Sequence, residues 1–508
     1  MKPKPQPRGF VLIMVLVVIM LASMVAASLL FVLSAEHTAS AASQGGEQSW
    51  ATAMSGVYQA MRLAADPVSE QSDWQDNAAS FRDQLVSDDG VQKWYFSVYS
   101  LPDSTGGALR FGLSDEASRI NVARATAPML EALPNLTPQL AQGLLGALSG
   151  AVPSSLTSAN GEAPSGTSSL TNASNARWTC LDELLDVGGF TPALLYGSYS
   201  NLTGRALAQA NPTDVSVLQD ASASPAEVGL NQFLTVCSYD LNQDNNGQPR
   251  VNLNQADADV ASVGLPQATV DYLKAFLESG AQLTNLTDLL WATNTFKDEK
   301  GKAVVMSSGI TPAELPLLLD RCTITNDTRL VGLINLNTAS AKVLAALPGM
   351  NDALAESIVA ARVGLTPDAR KTIAWLVKDG IVAGDIFQQV APYLTTRSFQ
   401  FHCFVAAYCI PAAHYRVLEA VVDVGSQPPA VLLLRDVSRL GLPFDPAVPS
   451  EPNSSGAAAG GAALSSLGPQ HAPNPVAYAA WFGRRDMAQD NRAATIHWRF
   501  HREPSPIL

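Results

Sequence analysis

The chain has 508 residues, 47% of them hydrophobic and 15% charged, which is the composition of a globular protein large enough for two or three domains. Its formal net charge is −13 and its pI about 4.9, a balance that argues against a phosphate backbone as the main partner. Five cysteines with no CxxC pair are too few for a disulfide scaffold and lack the spacing of a zinc knuckle. Cys403 and Cys409 share one strand-like run, where either disulfide bridging or buried free thiols fit.

The chain opens with Lys2, Lys4 and Arg8, then an apolar run from Phe10 to Leu33 broken only by Ser23 and Ser28. That run of roughly 24 residues is long enough to cross ~30 Å of hydrocarbon as a helix. The basic flank then stays cytoplasmic and the rest is translocated. A cleaved secretory signal is the rival reading, kept open by "TASAAS" beyond the run, although its apolar core should be only ~7–15 residues.

The junction "RGF" resembles the leader of type IV pilins, a short basic segment that ends in glycine before a long apolar helix. The resemblance implies cutting by a prepilin peptidase between Gly9 and Phe10, and N-methylation of Phe10. Pilins usually carry glutamate as the fifth mature residue; here that position is Met14. In the resemblance the glutamate neutralises the terminal amine of a neighbouring subunit, so a subunit without it belongs at a filament tip.

Downstream, Trp50, Met54, Val57 and Met61 fall at helical spacing. "WYFSVYS" and "GALRFGLSD" then read as antiparallel strands around a Pro-Asp-Ser-Thr-Gly-Gly turn. A recurring grammar follows: Ile-Asn or Val-Asn, a short helix, a Leu-Pro turn, a second helix. Copies start in "SRINVARATAPMLEALPNLTPQL", in "PRVNLNQADADVASVGLPQATV" and in "INLNTASAKVLAALPGMNDALAESIVAAR". Their uneven spacing argues duplicated helical hairpins rather than a solenoid. Thr-Pro pairs open the next helix after two of them, threonine as N-cap and proline in the first turn.

Helix-hairpin-helix turns that hold DNA read Gly-x-Gly, with amides aimed at a phosphate. In the third copy Asn351 replaces the second glycine, and Asp352 and Glu356 occupy the first turns of the following helix. Lys342 is the only lysine nearby, and the first two copies lack Gly-x-Gly. The hairpins therefore read as structural wedges buried by Val343, Leu344, Leu347, Leu354 and Ile358.

Between the first two copies, Asp240, Asn242, Asp244 and Asn246 alternate before Gly247. Alternating oxygens in a tight loop suit calcium; a solvated hairpin turn is the competing reading, since no glutamate follows at EF-hand distance. No GxSxG, HExxH or P-loop occurs, so no catalytic role is expected. Three strand-like runs follow from Thr395, then a low-complexity linker, Pro449–Gln470, and a tail with Trp481, Arg484, Arg485, His497, Trp498, Arg499 and His501.

The leader, the missing glutamate and the hairpins in this order resemble the protein K family of minor pseudopilins of the type II (general) secretion pathway, from Arg8 to about Phe444. The central cycle, Leu234 to Asp327, makes the chain longer than that pattern. The resemblance implies an α+β fold: a type IV pilin-like transmembrane helix with an antiparallel sheet, plus an inserted all-α domain of helix-hairpin-helix (SAM-like) repeats. The corresponding segments are a leader (1–9), a transmembrane helix (10–36), a helix extension with the first strands (37–119), an inserted helical domain (120–330), a further hairpin repeat (331–390), closing strands (391–444) and a linker with tail (445–508). It also implies calcium as a ligand and an inner-membrane, single-pass protein with a cytoplasmic N-terminus and a periplasmic head. Expected partners are minor pseudopilins I and J, the major pseudopilin, the prepilin peptidase and the inner-membrane secretion platform, with no nucleic acid. A membrane-anchored, competence-like DNA-binding protein is the alternative.

Overall fold

The first element is a helix of 56 residues, α1, Phe10–Ala65, about 84 Å long at 1.5 Å per residue. It ends two residues before Pro67, whose ring disfavours helical backbone in the residue ahead of it. The computed structural model describes residues 10–66, 70–101, 109–148, 178–197, 228–297, 302–442 and 444. The leader with Gly9, the Pro-Asp-Ser-Thr-Gly-Gly turn, the linker and the tail lie outside the described residues.

The two halves of α1 live in different surroundings. From Ile13 to Gln44 every side chain is exposed, including a continuous aliphatic surface. This stretch is long and apolar enough to span a membrane. From Ala53 on, one face is buried: Ala53, Val57, Ala60 and Met61 pack with Phe96, Val98, Cys403, Val405, Leu418 and Ala420 of the sheet beneath.

That sheet is antiparallel. Its strands are β1 (Gln84–Asp88), β2 (Lys93–Tyr99), β3 (Ser114–Asp115), β4 (Gln400–Ile410), β5 (Tyr415–Asp423) and β6 (Ala430–Asp436), in the order β1-β2-β4-β5-β6. β4 alternates across both faces. Phe401, Cys403, Val405 and Ala407 meet α1, while Phe404 and Ala406 join Tyr99 and Val417 in a small cluster on the reverse.

The expected hairpin after β2 is reduced to one bridge, Ser100 to Arg110. Both edges of β2 are already taken, by β1 and by β4 from Phe404 to Ile410. The returning chain instead pairs Ser114 and Asp115 with the uncovered start of β4, His402 and Phe401, end to end with β2.

The stretch from Ile120 to Leu394 lies between β3 and β4 in the chain, and its described residues have their own core, which includes Leu130, Leu144, Leu184, Phe233, Leu273, Leu318, Leu344 and Phe387. Three helical cycles share it. Each begins with the dipeptide Ile-Asn or Val-Asn and ends with Leu-Thr or Cys-Thr, and the two dipeptides pair as a parallel ladder. Ile120–Asn121 pairs Leu234–Thr235, Val251–Asn252 pairs Cys322–Thr323, and Ile334–Asn335 pairs Leu394–Thr395. The chain is thus a mixed α+β protein with a long N-terminal apolar helix and an antiparallel sheet.

Candidate functional site: the hairpins, their staples and the apolar helix

One staple recurs in every cycle. The opening asparagine is buried in each case, at 1%, 8% and 3% exposure for Asn121, Asn252 and Asn335. Its Oδ1 accepts the amide two residues on, from Ala123, Asn254 and Asn337, at 3.0, 2.9 and 3.0 Å. Its Nδ2 donates to the residue three places past the closing threonine: the Ser238 hydroxyl at 3.1 Å, Asn326 Oδ1 at 2.7 Å and the Ser398 hydroxyl at 2.6 Å. The closing threonine hydroxyls accept the amides of Cys237, Thr325 and Arg397. A buried amide with both ends satisfied fixes the exit of each cycle against its entrance.

In the third cycle the staple reaches the sheet. Asp115 of β3 accepts from the Asn335 amide, the Thr338 and Ser398 hydroxyls and the Ala117 N–H. Burial pushes its carboxyl above the usual range, and these donors pull against that rise. A second tie joins the first cycle to the sheet: Arg435 of β6 pairs with Asp182 and with Glu419 of β5, and Glu419 also meets His402 of β4 at 3.0 Å.

The third hairpin follows its sequence closely. The Ser340 hydroxyl accepts the Val343 amide at the start of the helix Ala341–Ala345. The turn passes through Gly349 at φ +75°, where a side chain is strained. Asn351 Oδ1 then accepts the Leu354 amide at 2.9 Å and caps the helix Asp352–Val363. Val343, Leu344, Leu347 and Ile358 are buried and Leu354 partly so. Lys342 Nζ lies 2.8 Å from Asp352 Oδ1, across the turn. A phosphate at this helix start would meet the Asn351 oxygen and the Asp352 carboxylate, which already holds Lys342 in an exposed ion pair.

The four alternating oxygen residues are placed differently from one another. Asp240 is buried, 2.8 Å from Arg397 Nη2, and accepts the Thr395 hydroxyl. Asn242 donates to the carbonyls of Thr325 and Asp327. Asp244 closes its own turn by accepting the amides of Asn246 and Gln248, which lowers its pKa against the opposing pull of burial. Asn246 is exposed. The strand Tyr239–Leu241 pairs with Arg329–Val331, and the two arms of the loop are joined by the bridge Gln243–Pro249 and by the Gln248 amide on Asp244. Among the described residues no cluster of three or more His, Cys, Asp or Glu is arranged to hold a metal.

At the N-terminus, Phe10 opens α1 and Met14 stands exposed on it. The five cysteines are free thiols. Sequence reasoning missed the asparagine–threonine staples and the Asp182–Arg435–Glu419 tie. The repeated Ile-Asn or Val-Asn was a visible signal for the first.

A family model described as a helix-hairpin-helix motif matches residues 331–367, which is the third hairpin. No curated protein matches the chain.

Proposed function

We propose that this chain is a minor pseudopilin of the type II secretion pathway, of the protein K kind, in an extended form. The observation that carries the reading is α1: one continuous helix, bare and apolar in its first half, packed on an antiparallel sheet in its second. Such a helix serves first as an inner-membrane anchor and later as a filament core. The N-terminus is then cytoplasmic and the head periplasmic. The prepilin peptidase cuts between Gly9 and Phe10 and methylates Phe10. Met14, where pilins usually carry glutamate, supports a position at the tip of the pseudopilus, with minor pseudopilins I and J above the major pseudopilin. There it nucleates assembly on the inner-membrane platform and supports export. No bond is broken by this chain itself.

Mass spectrometry of the membrane-extracted protein tests this directly. The expected result is a mature chain that begins with N-methylated Phe10. A terminus near Ala42 would overturn the reading in favour of an ordinary signal peptide.

The matched motif supports a second reading, a membrane-anchored DNA-binding protein. The Lys342–Asp352 pair and the Asn351 cap count against it. A mobility-shift assay at low salt is the severe test, because electrostatic binding is strongest there. Duplex binding tighter than ~1 μM, beyond common non-specific affinity, would favour the DNA reading.

A further inference from the structure

Asn246 is followed by Gly247, and among the described residues no other asparagine precedes a glycine. The backbone nitrogen one residue past an asparagine can attack that asparagine's side-chain carbonyl. A side chain on the attacking residue stands in the way. Glycine has none, and it reaches backbone conformations closed to other residues.

The surroundings leave room for the attack. Residues Asn245 to Pro249 are all exposed. Gly247 has φ +77°, and a Cβ built there would meet nothing within 4 Å.

The turn holds the two reacting groups apart. Gly247 N donates to Asp244 O at 3.0 Å, so the attacking nitrogen is engaged. Asp244 Oδ1 accepts the Asn246 and Gln248 amides at 2.9 and 2.8 Å, and Asp244 N donates to Gln248 O at 2.8 Å. Against burial, those two amides and then the Asn246 side chain hold the Asp244 carboxyl below its ordinary value. Asn246 is thus drawn to Asp244 rather than to Gly247. An exposed turn opens locally at a small part of the cost of global unfolding.

The same loop ties two cycles together. Asn245 N donates to Asp320 of the second cycle at 2.8 Å. Arg397, two residues past the closing threonine of the third, donates to Asp244 O at 3.1 Å.

We propose that Asn246 is a deamidation site gated by the Asp244 turn, and that its conversion loosens the loop joining these two cycles. When the turn opens, hydroxide takes the Gly247 amide proton. The nitrogen bonds to Asn246 Cγ, the Cγ–Nδ2 bond breaks, and ammonia leaves with a proton from water. Water then adds to either carbonyl of the succinimide and leaves aspartate or isoaspartate at this position. The balance is amide plus water to acid plus ammonia, with no oxidant or reductant. A carboxylate then faces Asp244, so like charges replace a hydrogen bond. Isoaspartate also lengthens the backbone inside the turn. Neither product closes the turn as asparagine does. The chemistry is the same whether or not the chain builds a filament.

The test holds the full chain in detergent at mildly alkaline pH, digests it with pepsin in acid and reads the peptides by mass spectrometry, with isoaspartate resolved by chromatography. Conversion is expected at Asn246 ahead of the neighbouring Asn242 and Asn245, and faster as pH rises. It is expected to be about tenfold slower than in a synthetic peptide of residues 242–250, where no tertiary bond holds the turn. Asp244→Ala should bring the chain close to the peptide rate. Asn246→Asp, a stand-in for the product, should speed hydrogen exchange at the Asn245 and Gln248 amides while the amides of β4 stay protected, which separates local opening from misfolding. The proposal is overturned if Asn246 converts no faster than Asn242 and Asn245, if chain and peptide convert at one rate, or if exchange in Asn246→Asp matches wild type.

Discussion

Glu419 is the residue whose charge is most strongly held. Burial alone would raise its carboxyl pKa, but His402 and Arg435 outweigh burial and bring it down from 4.5 to about 2. A depressed carboxyl contributes stability that is complete above 4.5 and is lost as pH falls toward 2. Thermal melts of the full chain in detergent at pH 7, 4 and 2.5 should therefore show wild type and Glu419→Gln converging as the pH drops. At pH 7 the variant is expected to be less stable by about 1–3 kcal/mol, since His402 and Arg435 lose the Glu419 carboxylate while Arg435 keeps Asp182. A gap independent of pH would mean that the pairing contributes nothing. The asparagine staples give a second residue-scale expectation. Asn335→Ala strands donors and acceptors around Asp115 and should cost about 1–3 kcal/mol. Asn335→Asp should cost more at pH 7, because it sets a carboxylate against Asp115, and should recover part of the loss on acidification. Equal melting of the two variants across pH would show that Asp115 does not face this position. At this scale the sequence was informative where contacts are local: Val343, Leu344, Leu347 and Ile358 were legible as core, while the caps Ser340 and Asn351 came only from the structure. The staples were opaque because each joins residues far apart in the chain through ladders of two residues, too short for any periodicity to register.

At the scale of elements, α1 owes its seating to Gly56. A Cβ there would come within 2.4 Å of Val405 and 3.0 Å of Phe96, so the glycine lets helix and sheet approach. Gly56→Ala should destabilise the head by about 1–3 kcal/mol through overpacking. Gly46, on the same helix, has open space around its Cβ position. Gly46→Ala should gain about 0.5–1 kcal/mol from helix propensity. Chemical denaturation that gave both variants the same sign would refute this account of the packing. The helix itself was plain in the sequence from its length and from Trp50, Met54, Val57 and Met61, all of which join the sheet core. Strand partners were not. Local pattern marks a strand but not which edge is free, and the chain after β2 finds both edges of that strand occupied.

For the whole molecule, under the proposed pseudopilin reading, the position of the subunit in a filament turns on a single side chain. A terminal ammonium in an apolar core is costly unless paired. On that reading Met14 offers no charge to a neighbour's amine, while a processed Phe10 amine could still be met by a glutamate on another subunit. Under the pseudopilin reading, engineered-cysteine crosslinking should find one copy per filament, and Met14→Glu should admit the subunit to the shaft. Many wild-type copies along the shaft would show that this position does not set placement.

The insertion between β3 and β4 also fixes an order of events in time. The central pairing of the sheet, β2 with β4, joins segments about three hundred residues apart, a separation that makes closure slow. At ~5–20 residues per second the ribosome needs roughly 15–60 s to make the intervening chain. Throughout that interval the inner face of β2, with Phe96 and Val98, has no β4 to cover it. Each helical cycle, by contrast, closes on its own two-residue ladder as soon as its threonine emerges. Newly made chains should therefore pass through a state with ordered helices and an unmade sheet. In that state the half-finished head depends on a holding chaperone to keep its bare strand from other chains.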